Sequence, residues 1–105
     1  EFAVVVVDAS GKVVEVNEKA ATLSGYSKDE LKGMEIYSFL SGSDFLDYVG
    51  DFTRAFLEGF GEAKQVPVKI RGGKIVHVDV TASVEESLDG PVLKAFLKES
   101  LPRKQ

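Results

Sequence analysis

Between Asn17 and Gly33 the chain carries more helix starts and stops than any long helix could contain. Asn17 offers a side-chain oxygen to the free N–H groups of a first helical turn. Ala20, Ala21 and Leu23 follow as inward-pointing residues. Gly25 falls where a left-handed residue closes a helix, and Tyr26 is the kind of apolar residue that packs over such an end. Ser27, with Glu30 three residues on, spells a second start as a capping box, and Gly33 stops it. Helices this short do not hold in water by themselves. They must lie on a larger surface, and the strand-like segments on either side provide it.

Phe2 to Val7 is a continuous apolar run with four valines. It is too short for a typical helix and rich in β-branched residues, which predicts a strand covered on both faces. Asp8-Ala9-Ser10-Gly11 reads as a turn and Lys12 to Val16 as a second strand, giving a hairpin whose first strand is central. Met34 to Leu40 is apolar and aromatic, and Ser41-Gly42-Ser43 breaks it. From Asp44, Phe45, Tyr48, Val49, Phe52, Ala55, Phe56 and Phe60 recur at three- and four-residue steps, the stripe of one substantial amphipathic helix. Asp47, Asp51, Arg54 and Glu58 lie off that stripe, and Gly59 and Gly61 end the helix. Beyond Ala63 the period changes to two. Val66, Val68 and Ile70 alternate with polar residues and Pro67, whose missing donor suits an edge strand. Gly72-Gly73 is a hairpin signal. Val76, Val78, Val80, Ala82 and Val84 form one face of the next strand against His77, Asp79, Thr81 and Ser83. Asp89-Gly90 marks a further turn, and Val92 to Leu97 is the last strand. The sum is an α+β domain with one antiparallel sheet.

At 105 residues the chain is one domain by size. Its formal net charge of −4 argues against a nucleic-acid partner. The absence of cysteine excludes disulfides, thiolate metal sites and cysteine nucleophiles. No apolar run approaches the ~20 residues of a membrane-spanning helix, and no signal peptide is visible. The chain starts at Glu1 directly in strand-like sequence, so it reads as a fragment of a longer protein, with a cytoplasmic setting expected. Residues 1–100 read as one domain and 101–105 as the start of an exit linker.

Catalytic constellations fare badly. His77 is the sole histidine and falls on the polar face of a strand beside Asp79. Ser83 shares that face but stands six residues on, roughly 20 Å away along a strand. One histidine and no carboxylate cluster of calcium-loop spacing leave no metal site, and no phosphate-binding glycine loop follows a strand. An enzyme using Tyr48 and Asp79 is disfavoured because the two fall on opposite sides of the sheet. The aromatic stripe remains. Aromatics at helical spacing ordinarily form core, yet Tyr48 brings a hydroxyl into that layer, where a buried hydroxyl wants a partner. A pocket of apolar side chains with one or two polar groups is the usual small-molecule site. The candidate lining is Tyr48, Phe52 and Phe56 from the helix with Val68, Val78 and Val80 from the strands.

Val-Val-Asp-Ala-Ser-Gly-Lys-Val-Val, then Asn17, Gly25-Tyr26-Ser27, Glu30-Leu31 and Gly33, then Gly72-Gly73 and Asp89-Gly90, resemble in this order the Per-Arnt-Sim (PAS) sensory domains. The resemblance covers almost the whole chain. It implies a five-stranded sheet of order 2-1-5-4-3, covered by short helices and one long helix, with a cavity between the long helix and the sheet. It also implies a non-catalytic signal-transduction module, as found upstream of histidine kinases and transcription regulators. Such modules sense a small molecule or cofactor in the cavity, or pair with another PAS domain. The flavin photosensors of the family need a reactive cysteine, so a covalent flavin adduct is excluded here. Its commonest haem sensors use a histidine on the long helix, and Asp44 to Gly61 has none, so His-ligated haem is disfavoured. A non-covalent small molecule stays open as cofactor. Family members commonly close on Asp-Ile-Thr, whereas this chain has Lys98-Glu99-Ser100-Leu101-Pro102, with Glu99 in the place of the Asp.

Two functional readings follow. In the first, a sensory module of a larger two-component or similar protein binds a ligand in the core and relays its state through the Leu97–Gln105 exit to a downstream signalling domain. In the second, the core is full and the domain is a structural homodimerisation module. In both, the sheet carries apolar residues outward on alternate positions of the valine run, with Val92 and Phe96 adjacent. That patch calls for a second copy or a flanking helix.

Overall fold

The computed structural model describes residues 2–40 and 45–100. Asp44, the Ser41-Gly42-Ser43 break, the side chain of Phe45 and the 101–105 exit lie outside the described residues. Five strands form one antiparallel sheet: β1 (Ala3–Asp8), β2 (Val13–Val16), β3 (Phe60–Lys69), β4 (Ile75–Ser87) and β5 (Gly90–Glu99), in the order β2-β1-β5-β4-β3. The first and last strands are neighbours, so residues from both ends of the chain meet in the middle of the sheet. Helices α1 (Glu18–Ser24), α2 (Lys28–Leu31) and α3 (Phe45–Glu58) cover one face, with a 3-10 turn at Ile36–Phe39.

Side chains alternate along these strands. Ala3 and Val7 of β1, Val78 and Ala82 of β4, and Leu93 and Ala95 of β5 are buried under the helices. Val4, Val6, Lys94 and Phe96 take the outward positions, and Val4 pairs with Phe96 across the ladder.

The signals at Asn17, Gly25, Ser27 and Glu30 are realised, whereas α2 ends before Gly33, at an extended Lys32, and Gly33 N–H donates to Val13 O instead. The Asn17 side-chain oxygen accepts from Ala20 N–H at 3.0 Å, as an N-cap does, and also from Val4 N–H at 3.0 Å. Its amide donates to the Phe2 carbonyl at 3.1 Å. One side chain thus caps α1 and laces it to β1. Gly25 closes α1 at φ 80, where a Cβ would sit 3.0 Å from Arg71 Cβ. Ser27 and Glu30 exchange the two bonds of the capping box, at 2.8 and 3.0 Å. In the β1–β2 turn, Asp8 accepts from Ser10 N–H, the Ser10 hydroxyl and Lys12 N–H.

Three boundaries depart from the sequence reading. Phe60 continues the helical stripe in sequence but opens β3, 66% exposed and paired with Ser83. The reason is Gly59, which leaves the helix at φ 94 while its N–H still bonds to Ala55 O. Gly61 accordingly lies inside β3, close against Ala55. Gly72 and Gly73, both at positive φ, sit in a wider loop closed by Ile70 N–H on Lys74 O. The tight hairpin is instead Leu88-Asp89, between the paired residues Ser87 and Gly90.

Pro67 lies on β3 at the edge of the sheet, as its missing donor demands. Beside it the β3–β4 register shifts between Ala63 and Val66. Gln65 sits in that bulge at φ 53, the one described non-glycine residue with positive φ. Asp79 of β4 stabilises the bulge by accepting Gln65 N–H at 2.9 Å.

Candidate functional site

Two hollows lie between the helical cover and the sheet. The first, about 140 Å³, sits beneath α1, α2 and the 3-10 turn. Its roof is Ala20, Leu23 and Ser24 of α1, Leu31 of α2, and Ile36, Phe39 and Leu40. Its floor is valine, alanine and leucine from the five strands, including Val68, Val78 and Val80, with Ile70 just beyond β3. The second, about 330 Å³, lies beneath α3 and is lined by Tyr37, Tyr48, Phe52, Ala55 and Val80 among others, with Asp51, Arg54, Glu58 and Glu62 around it. Ile36, Leu40, Val66, Val80 and Ala95 border both.

The residues expected to share one pocket are therefore distributed. Val68 and Val78 line the first hollow, Tyr48 and Phe52 the second, and Val80 both. Phe56 lines neither; it packs edge-on to Phe52 with ring centres 5.2 Å apart and leans on the core. Ala20, Leu23, Ser24 and Leu31 of the roof belong to the short helices, for which the sequence shows only the inward direction of Ala20, Ala21 and Leu23. A signal was present: helices that cannot stand alone must contribute their apolar side chains to a shared core.

Polar chemistry is sparse. Ser24 is the one polar residue among the described residues lining the first hollow. Its hydroxyl donates to Ala21 O and accepts from Tyr26 N–H, both at 3.2 Å. In the second hollow, Arg54 pairs with Asp51 at 3.4 Å. Tyr37 stands edge-on to Phe52 at 5.6 Å. Burial pushes the Tyr37 phenol above its ordinary value, and the nearby Glu35 carboxylate adds to the shift.

Arg71, from the β3–β4 loop, reaches the end of α1 and the start of α2. Its guanidinium lies 5.1 Å from the Tyr26 ring centre and 3.0 Å from Glu30 Oε1. Glu30 is held below the usual carboxylate range, first by Ser27 N–H and then by the Arg71 charge. The loop is thereby fastened to the capping box of α2.

His77 is exposed on the outer side of β4. Asp79, on the same strand, is engaged by Gln65 N–H and by the Ser100 hydroxyl at 2.7 Å. No group of three or more metal-ligating side chains occurs among the described residues, and no described helix is long and apolar enough to cross a membrane. The first hollow suits neither a flavin nor a haem. The hydrogen-bonding edge of one and the carboxylates of the other would meet no unspent polar side chain among its described lining.

A curved antiparallel sheet of order 2-1-5-4-3 with short helices and one long helix over one face defines the fold class. The sequence profile of the PAS fold matches residues 1–97, and the chain belongs to the PAS family. Similar solved structures include the PAS domain of a protein from Colwellia psychrerythraea, with TM-score 0.83 and 17% identity over 94% of this chain and 86% of that one. A PAS domain from a two-component sensor histidine kinase gives TM-score 0.80 and 17% identity over 94% and 85%. The PAS domain of nitrogen regulation protein NR(II) from Vibrio parahaemolyticus gives 0.78 and 14% over 94% and 89%. No curated protein sequence gives a significant match. PAS domains are generally sensory, non-catalytic modules that sit in larger signalling proteins.

Proposed function

We propose that this domain senses a small molecule held between its helices and sheet, and passes the bound state to a downstream signalling domain through β5 and the exit that follows. Residues 1–100 act as the sensory unit and 101–105 begin the connection, in a cytoplasmic protein of the two-component type. The carrying observation is that β5 borders both hollows and also leads to the exit. Ala95 lines both cavities, Leu97 lines the first, and Ser100 follows three residues later. Tyr48, Phe52 and Val80 act on the α3 side and Val68, Val78 and Val80 on the other, with Phe56 holding Phe52 in place. Protein purified from cells and denatured for mass spectrometry should release a bound small molecule. Repeated release of nothing, together with side chains filling both hollows in a crystal, refutes the reading.

The second reading, a homodimerisation module, draws on the outer sheet face. Phe2 stacks edge-on against Phe96 with ring centres 6.1 Å apart, and Phe2 and Val14 are 48% and 43% exposed. Together with Val4, Val6 and Val92 they make an apolar strip of the kind that a second copy or a flanking helix covers. Sedimentation over a concentration series discriminates, since a strict monomer excludes the self-association.

A further inference from the structure

The chemistry of the first hollow restricts what can occupy it. Among its described lining residues only Ser24 carries a polar side chain, and that hydroxyl is already engaged as donor and acceptor at the end of α1. The central strands of its floor, β1, β5 and β4, are each paired on both sides, so their backbone groups are taken up in the ladder. A guest that brings a hydroxyl, an amide or a charge would bury it without a partner, which weakens binding, and a charged group weakens it more than a neutral one. The volume, about 140 Å³, sets the size. Apolar cavities of about 150 Å³ stay free of water and take up benzene or xenon.

We infer that the hollow beneath α1 and α2 is a binding site for an uncharged, wholly apolar molecule of about the size of benzene. This rests on the reading of the domain as a ligand sensor and names the ligand class for one of the two hollows described between helices and sheet. The two hollows then differ in kind. The one beneath α3, with Asp51, Arg54, Glu58 and Glu62 around it, suits a polar or amphipathic guest, whereas the one beneath α1 and α2 excludes it.

The test titrates the intact 105-residue chain with benzene, phenol and benzoate, following methyl resonances and the thermal midpoint. Benzene is expected to bind saturably, to shift the methyls of Val78 and Leu31, and to raise the midpoint by mass action. Phenol is expected to bind roughly tenfold more weakly, and benzoate more weakly still. Ala20→Leu, which adds bulk to the roof, should abolish the benzene shifts. Should that variant fail to fold, xenon in a pressurised crystal of the unaltered chain provides the second reading, with density expected between Val78 and Leu31. Benzoate binding there as tightly as benzene, or benzene shifts confined to the methyls of Ala55 and Leu93 in the second hollow, would overturn the assignment and leave the sensory reading standing. Failure of every probe, with no small molecule released from purified protein, would overturn both.

Discussion

The Ser100 hydroxyl donates to the Asp79 carboxylate at 2.7 Å, tying the last described residue of the chain to β4. Ser100 N–H also donates to His77 O at 2.8 Å, so two bonds hold Ser100 against that strand. The same Asp79 oxygen accepts Gln65 N–H and stabilises the positive-φ bulge of β3. Asp79→Ala is therefore expected to lower the thermal midpoint more than Ser100→Ala does. Amide exchange should accelerate at Gln65 in the first variant only, and at Ser100 in both. Equal exchange at Gln65 in the two variants would show that the bulge holds without the carboxylate.

Acid stability follows from the same group. Asp79 sits below its ordinary value of 3.8, first through Gln65 N–H and then through the Ser100 hydroxyl, with the Lys64 and Lys98 charges adding smaller contributions. A carboxyl whose folded value is depressed contributes stability that is fully present above its unfolded value and is lost as pH falls through the folded one. Asp8 and Glu30 are shifted in the same direction. The unaltered protein should lose stability below the ordinary carboxylate range, and Asp79→Asn should flatten one part of that loss while Asp8 and Glu30 keep theirs. Denaturant melts across an acid pH series measure it.

Asn17 joins a cap to a strand. Asn17→Ala removes the acceptor for both Ala20 N–H and Val4 N–H, and the expected loss is about 1–2 kcal/mol in urea unfolding. Asn17→Asp keeps the acceptors but sets a carboxylate oxygen against Phe2 O, so amide protection at Ala20 should survive while the link to Phe2 is lost.

Gly25 stands at φ 80 with Arg71 Cβ 3.0 Å from where its own Cβ would be. Gly25→Ala is expected to cost about 1–2 kcal/mol from the left-handed backbone alone. It should also displace Arg71 from the Tyr26 ring, visible as a change in the Tyr26 ring resonances.

Val78, fully buried in the floor of the first hollow, gives a measure of packing there. Val78→Ala should destabilise by roughly 2 kcal/mol, combining the lost methyl burial with an enlarged cavity. The same variant should accept toluene as readily as the unaltered chain accepts benzene.

The caps at Asn17, Gly25, Ser27 and Glu30 were legible because each is written in residues close together in sequence and needs only local geometry. The strand faces of β3 and β4 were legible for the same reason, since period two survives whatever packs on top. Phe60 was misplaced because stripe periodicity runs on past a residue, Gly59, whose φ alone decides the boundary. The division into two hollows was out of reach. Ile36 and Leu40, which border both, come from the 3-10 turn and the residue that caps it, and their position against the sheet is a tertiary fact. The engagement of Asp79 was hidden likewise, since its partners lie 14 and 21 residues away in sequence.

Strand β5 has Ala95 and Leu97 turned inward and Lys94 and Phe96 turned outward, within four consecutive residues. Interior and exterior are thus the two sides of one backbone, with no intermediate layer to absorb a displacement. Any guest that pushes on Leu97 pushes on the carrier of Phe96, and a fluorophore on the outer sheet becomes a gauge of what sits inside.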